Sequence, residues 1–399
     1  MKKIGWVIAA AGFMLAGCAG SKAVKHKTET SLLKTIDSSF ALGDEQYKMM
    51  AANLPADKFP KTYHPNTGKY EYSGSGWWCS GFYPGSLLYI YQQTKDPAIL
   101  AEAERSLGVL AKEQFNKTTH DLGFMMYCSF GNALKTAPKP AYRDILINSA
   151  KSLASRFDPK VGCIKSWDGK KNEYLVIIDN MMNLELLFWA TRETGDSSYY
   201  KIAVSHANTT MKNHFRPDFS SYHVINYNST DGSVIQKKTA QGFADESAWA
   251  RGQGWGLYGY TTMYRETKDK KYLDQAVHIA EFILNHPNMP ADKIPYWDFN
   301  APDIPNALRD VSAGSLMAAA LLELSTYTDA TLSKKYFTTA ETMIRSLSAA
   351  PYIAAKGTNG GYILQHSVGH IPQKTEVDVP LTYADYYYFE AMKRYKAFK

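Results

Sequence analysis

The chain is poor in the residues that mark several large classes of protein. It has four cysteines in 399 residues: Cys18, Cys79, Cys128 and Cys163. No two stand at metal-site spacing, and the three beyond Cys18 are an odd number. Cys79 and Cys128 sit among aromatics and are expected as buried thiols rather than disulfides. There is no His-Glu-x-x-His for zinc and no glycine loop to cradle phosphate. No Gly-x-Ser-x-Gly elbow of a serine hydrolase is present. The net charge is +7, a mild basic balance that attracts anions. No Lys/Arg cluster or basic helix accompanies it, which argues against nucleic acid as a partner. The apolar run Ile4–Ala16 is too short to cross a bilayer.

That run follows Lys2 and Lys3 and closes on Leu15-Ala16-Gly17-Cys18, so residues 1–17 read as a signal peptide. Leu-Ala-Gly-Cys resembles the bacterial lipobox, where cleavage before the cysteine is followed by its lipidation. An ordinary secretory signal with an incidental cysteine is the alternative. The expected order is a leader over 1–17, a lipidated tether over 18–28 beginning at Cys18, and one domain over 29–399. The expected location is the bacterial cell envelope, periplasmic face or cell surface, with the lipid as the only membrane contact.

Aromatic residues are plentiful: 28 Tyr, 17 Phe and 8 Trp, in a chain that is 45% hydrophobic. That is ample for a large core, and aromatics also serve as platforms for sugar rings. The most informative stretch is Ile177–Trp189, IIDNMMNLELLFW. Its apolar residues recur at helical spacing on nearly every side, the pattern of a buried helix. Asp179 stands at its mouth. A buried carboxylate is costly unless hydrogen-bonded or functional. It is therefore either an N-cap on Met181 or Met182 or a group with chemical work.

A larger pattern recurs. A Gly-, Ala- or aromatic-rich helix ends in Thr-x-Asp or a near variant, and a more polar helix follows. The turns fall at Asp96, Asp196, Asp269 and Asp329, about 100, 73 and 60 residues apart. The first interval has room for another hairpin around 123–157, and YADYYYFEAMKRY supplies a last helix. Repeats of this length argue for stacked helical units. Six inner helices ringed by six outer ones make an all-α (α/α)6 barrel; an open solenoid would give the same period. The polar, β-rich insertion His214–Gln241 reads as a hairpin over one mouth, which favours the closed toroid.

Polar and aromatic residues cluster where inner helices begin. The groups are Trp77–Phe82, His120–Phe124, Trp167 through Asp179-Asn180, and His223, Gln241 and Trp249–Trp255. In a toroid these starts face one pit, bringing Asp121 and Asp179 among Trp, His and Arg. Paired carboxylates with aromatic walls are equipment for sugar hydrolysis. Taken singly, Asp121 is equally an N-cap and Arg251 equally a structural ion pair.

The words WCSGFYPG (78–85), HDLGF (120–124), IDNMMNL (178–184) and QGFADESAWARGQGWGLY (241–258), with the aromatic tail 383–394, are those of a known family. The chain resembles the unsaturated glucuronyl hydrolases of glycoside hydrolase family 88 over essentially its whole mature length. The resemblance implies an (α/α)6 barrel without metal or organic cofactor. It implies release of 4,5-unsaturated uronic acid from the non-reducing end of lyase-generated oligosaccharides of glycosaminoglycan type. It makes Asp179 the general acid/base and Asp121 its partner. It places Trp78, Phe82, His120, His223, Gln241, Arg251 and Trp255 around the sugar, with Trp167 a looser match. The loop Gly369–Lys374 lies where members vary, and Lys374 is placed to meet a sulfate. The serine-containing loop of some members acting on sulfated substrates is absent, since Gly369-His370-Ile371-Pro372 occupies that place.

Three other readings compete. An unsaturated rhamnogalacturonyl hydrolase would share fold and chemistry but act on pectin fragments. A glycan-binding lipoprotein would have no need of two carboxylates in one pit. A polysaccharide lyase would create the double bond that a hydrolase consumes. The expected assembly is a monomer or weak dimer.

Overall fold

A computed structural model describes residues 26–399. The expected leader and the lipidation site Cys18 lie outside the described residues. Outer and inner helices alternate along the chain: α1 (Thr30–Asn53) outer, α2 (Phe82–Thr94) inner, α3 (Pro97–Leu110) outer and α4 (Asn132–Thr136) inner. The alternation continues through α5 (Pro140–Ala154), α6 (Leu184–Thr194), α7 (Ser197–Asn213), α8 (Ala250–Thr267), α9 (Lys270–Asn285), α10 (Val311–Leu324), α11 (Ala330–Leu347) and α12 (Thr382–Lys396). Wide π-helical turns over Gly123–Gly131 lead into α4, and a 3-10 turn over Ile178–Asn183 leads into α6. Each inner segment packs on the next, and α12 closes the ring against α2. The fold is the (α/α)6 barrel that the repeat predicts.

The recurring Thr-x-Asp words are the hairpin joints. Lys95, Gly195 and Lys268 take left-handed backbone conformations that end α2, α6 and α8. Asp96, Asp196 and Asp269 then cap the following helices, accepting from the amides of Ala98 (2.7 Å), Ser198 (2.8 Å) and Lys271 (3.1 Å). Asp329 does the same for α11 through Thr331 and Leu332. Each such cap is worth about 1 kcal/mol.

The fold is not purely helical. Short antiparallel sheets form in the segments that lead into inner helices. They are β1 (Phe59–His64) with β2 (Lys69–Ser73), and β3 (Phe157–Asp158) with β4 (Cys163–Ile164). A three-stranded sheet joins β5 (Glu173–Ile177), β6 (Val224–Asn228) and β7 (Val234–Lys238), and β8 (Ser367–His370) pairs with β9 (Thr375–Val379). The 214–241 insertion is thus a hairpin, as its sequence reads, but it gains β5 as a third strand. That corrects the reading of Ile177–Trp189 as one helix. The β-branched run Val176-Ile177-Ile178 favours extended backbone, and the chain stays a strand through Ile177 before turning.

The chain is docked earlier than the expected start at Glu29. His26 stacks on Phe337 at 4.1 Å, and its Nε2 lies 2.8 Å from Ser333 Oγ.

Two glycines let the inner-helix starts approach closely. A Cβ on Gly123 would lie 2.4 Å from Asn183 Cα, and one on Gly81 would lie 2.1 Å from the Met125 carbonyl oxygen. The first contact matters most. It presses the turn carrying Asp121 against the turn carrying Asp179, and the Phe124 amide seals it on Asn183 Oδ1 at 3.0 Å.

Candidate active site

A cavity of about 590 Å³ opens where the inner helices begin. Trp78, Asp121, Trp167 and Gln241 line it, with Tyr383. Trp78 packs on Phe82, Phe124 and Tyr383, so its orientation is fixed from beneath. Trp167 remains 36% exposed and meets the His223 ring edge-on at 5.9 Å. Gln241 donates from Nε2 to the Gly369 carbonyl at 3.0 Å, tying the wall to the β8–β9 hairpin.

Asp179 is only 7% exposed. Its Oδ2 has no hydrogen-bond partner among the described residues, which sets aside the N-cap reading for that oxygen. Burial is the main cause that raises its pKa from 3.8 to about 7. Arg251 and the Trp255 indole N–H act to lower it, and Asp121 acts to raise it. His223 faces it. The His223 Nδ1 accepts from the amides of Ala240 (3.1 Å) and Gln241 (3.2 Å), so the proton belongs on Nε2. That nitrogen stands 3.7 Å from Asp179 Oδ2. Burial holds the His223 pKa well below its ordinary value, so it is a neutral donor directed at the acid.

Asp121 is held differently. The Thr119 hydroxyl donates to its Oδ2 at 2.8 Å, while its Oδ1 lies 3.2 Å from His120 Nε2. His120 Nδ1 is 3.1 Å from the Ser166 carbonyl, which places the ring proton on Nδ1 and turns Nε2 toward Asp121. The two carboxyls therefore sit in contrasting surroundings, the arrangement that separates the roles of an acid and an anion.

Of the residues expected around the sugar, Trp78, Trp167 and Gln241 line the cavity, whereas Phe82, His120, His223, Arg251, Trp255 and Lys374 are not among its lining residues. His120 and His223 stand against the two carboxyls, and Arg251 and Trp255 act on Asp179 from within the wall. Phe82 and Trp255 are fully buried; Phe82 supports Trp78, and Trp255 packs between Phe124 and Tyr387. Arg251 is 1% exposed and ion-paired with Asp310 at 2.8 Å. Its guanidinium also donates to the Val368 and Gly369 carbonyls. It anchors β8 rather than lining the cavity, and its spare charge is absorbed. Lys374 is exposed at the tip of the β8–β9 hairpin, outside the cavity lining.

Other lining residues escape the sequence reading. His370, Gln373, Thr375 and Glu376 come from the β8–β9 hairpin, and Lys61 comes from β1. Lys61 lies 5.4 Å from the Trp77 ring and pairs with Glu71. Short polar strands give little sequence signal, and only the Gly369–Lys374 segment was legible. Among the described residues no group of three or more His, Cys, Asp or Glu is placed to hold a metal ion. Cys79, Cys128 and Cys163 are free thiols.

The model of glycosyl hydrolase family 88 matches residues 50–398. The chain belongs to glycoside hydrolase family 88. It is 42% identical to an unsaturated glucuronyl hydrolase of Formosa agariphila, across 99% of this chain and 98% of that one. It is 33% identical to an unsaturated chondroitin disaccharide hydrolase of Streptococcus pneumoniae, across 80% of this chain and 81% of the relative. Among solved structures, an unsaturated glucuronyl hydrolase specific for heparin superposes with a TM-score of 0.88 at 47% identity, covering 91% of this chain and 97% of the other. Family 88 membership makes the chain a glycosidase; of its two candidate carboxyls, Asp121 lines the cavity and its charge bears on the buried Asp179.

Proposed function

We propose that this enzyme removes 4,5-unsaturated uronic acid from lyase-generated oligosaccharides, with Asp179 as the proton donor. The observation that carries the reading is a buried aspartic acid whose pKa is raised to about 7, faced by His223 and within the field of Asp121, which lines the cavity. In the unsaturated uronide the ring oxygen feeds electrons into C4=C5 and makes C4 basic. Asp179 gives its proton to C4, and an oxocarbenium-like cation develops at C5. Water adds to C5, and its surplus proton returns to the Asp179 carboxylate. The resulting hemiketal opens to a C5 ketone, which leaves C1 as a hemiacetal that expels the next sugar. Asp121, as an anion nearby, keeps the acid protonated and favours the cation.

The relatives' names support a glycosaminoglycan-type substrate, since those proteins act on heparin and chondroitin fragments. The test is ultraviolet absorbance of the C4=C5 bond. Incubation with unsaturated heparin, chondroitin and hyaluronan disaccharides should abolish it for at least one of them. A rise in absorbance on intact polymer would indicate a lyase, and cleavage confined to pectin-derived fragments would favour the rhamnogalacturonyl reading. Retention of the absorbance with every compound would sink the assignment.

The Leu15-Ala16-Gly17-Cys18 word supports attachment to the cell envelope through lipidated Cys18. Cys18→Ala should leave the protein unprocessed or release it to the soluble fraction. Normal membrane retention of a processed Cys18→Ala protein would contradict the anchor.

A further inference from the structure

Arg156 lies behind the cavity wall and does not line the cavity. Its guanidinium forks over three backbone carbonyls: Nε donates to Lys165 (2.9 Å), Nη1 to Lys117 (2.6 Å) and Nη2 to Ser166 (3.1 Å). Lys117 begins the short turn that carries Thr119, His120 and Asp121. Lys165 and Ser166 lead directly into Trp167. One planar side chain therefore joins the loop bearing Asp121 to the segment bearing Trp167, which a lysine's single ammonium cannot reproduce. The Ser166 carbonyl is shared, because His120 Nδ1 also points at it from 3.1 Å. On its other edge Ser166 accepts the Ile177 amide through Oγ at 3.1 Å, two residues from Asp179.

The consequence falls on His120. With Nδ1–H committed to Ser166, the His120 Nε2 lone pair faces Asp121 Oδ1 at 3.2 Å, and Nε2 has no hydrogen-bond partner. Two acceptors at that distance draw a proton between them. If the ring takes it, imidazolium cancels the Asp121 charge. Burial opposes this most strongly, Asp121 favours it, and Arg156 opposes it. The other titratable ring close to this group is His206, itself buried with its pKa lowered to about 3. Around Arg156 the charged or titratable groups are Asp168, Tyr174 and Asp121; the Asp168 side chain is largely exposed. Around Asp179 they are Arg251, Asp121 and His223.

We propose that Arg156 is a positioning residue. It locks the Asp121 loop to the Trp167 segment and adds its charge to burial in disfavouring a proton on His120, so that no imidazolium offsets the Asp121 carboxylate beside Asp179. The proposal rests on Asp179 acting as the acid, but its first test does not depend on turnover. Histidine-labelled protein titrated by NMR should show the His120 ring neutral at neutral pH, with its proton on Nδ1, and a titration shifted below that of an ordinary histidine. A ring that is imidazolium at neutral pH overturns the proposal whether or not the enzyme acts on any uronide.

The second test is the pH profile of kcat on an unsaturated disaccharide. Arg156→Gln removes both fork and charge. It should cut kcat at least tenfold and move the alkaline limb to lower pH by half a unit or more. The limb moves because His120 then takes a proton, the Asp121 field weakens, and Asp179 loses its proton sooner. Arg156→Lys keeps the charge without the fork, so it should lose rate while holding the limb near its wild-type position. A lower rate with an unmoved limb in folded Arg156→Gln would make the residue structural only. If Arg156→Gln does not fold, Arg156→Lys decides the question: folded Arg156→Lys with wild-type kcat overturns the proposal. Absence of wild-type turnover on every unsaturated substrate would overturn the glycosidase assignment instead, leaving the His120 titration to speak for itself.

Discussion

Replacing Asp179 by Asn should stabilise the protein, and by an amount that depends on pH. Folding raises the Asp179 pKa from 3.8 to about 7. At about 1.4 kcal/mol per unit, that is roughly 4 kcal/mol held against the carboxylate in the folded state. Because the folded pKa is the higher one, folded Asp179 keeps its proton while the unfolded chain loses it. The associated stability is fully present below about pH 4 and is lost as pH rises through about 7. At about pH 5 roughly 1.6 kcal/mol has gone; at about pH 8 all of it has. The Asn side chain has the same shape and does not titrate, so it escapes this loss. The stability difference between Asp179→Asn and wild type should therefore grow by roughly 2–3 kcal/mol between about pH 5 and pH 8. Urea denaturation of both proteins across that range measures it. Asp385, whose pKa is also raised to about 7 by burial, is common to both and cancels. Stability curves that run parallel across the range would refute the claim that Asp179 is a strained, proton-holding acid.

Other outcomes follow from the same geometry. Arg251→Ala should cost about 3–5 kcal/mol of stability, because it leaves the buried Asp310 without its guanidinium partner and with only the Ser312 and Val368 donors; a loss below about 1 kcal/mol in denaturation would refute that structural role. Gly123→Ala should destabilise by about 1–3 kcal/mol or more, since its methyl meets Asn183 Cα. It should also lower kcat by spreading the Asp121 and Asp179 turns, and full activity would count against that contact. Trp167→Ala should raise KM with little change in melting temperature, because Trp167 is a partly exposed wall residue; an unchanged KM would remove it from the site.

The helical architecture was legible because it is written locally. Each Thr-x-Asp joint stops one helix and caps the next within four residues, and the pattern repeats. Asp121 and Asp179 were legible for a related reason, as carboxylates standing at the mouths of buried segments. Less accessible were the features made by distant chain segments. Arg251 finds Asp310 across 59 residues, and nothing near Arg251 in the sequence reveals that its charge is taken. Arg156 reaches back 39 residues to Lys117, through carbonyl groups that every residue type possesses. The β8–β9 hairpin is hidden because Lys374, Glu376 and Asp378 adopt positive φ, a conformation usually left to glycine. Lys374 is thereby turned out at the tip while Glu376 reaches the cavity wall. Phe82 and Trp255 belong to the motifs that carry the family resemblance, yet both are buried. A motif records where a site is built and does not separate the side chains that touch sugar from those that hold its walls.

The central claim is that Asp179 protonates C4 of an unsaturated uronide, and turnover in heavy water tests it most directly. The released uronate should carry one deuterium at C4 by NMR. Asp179→Asn should bind the substrate and leave its absorbance intact, and the corresponding saturated glucuronide should survive unchanged. Efficient cleavage of the saturated glucuronide, or product without deuterium at C4, would contradict the account.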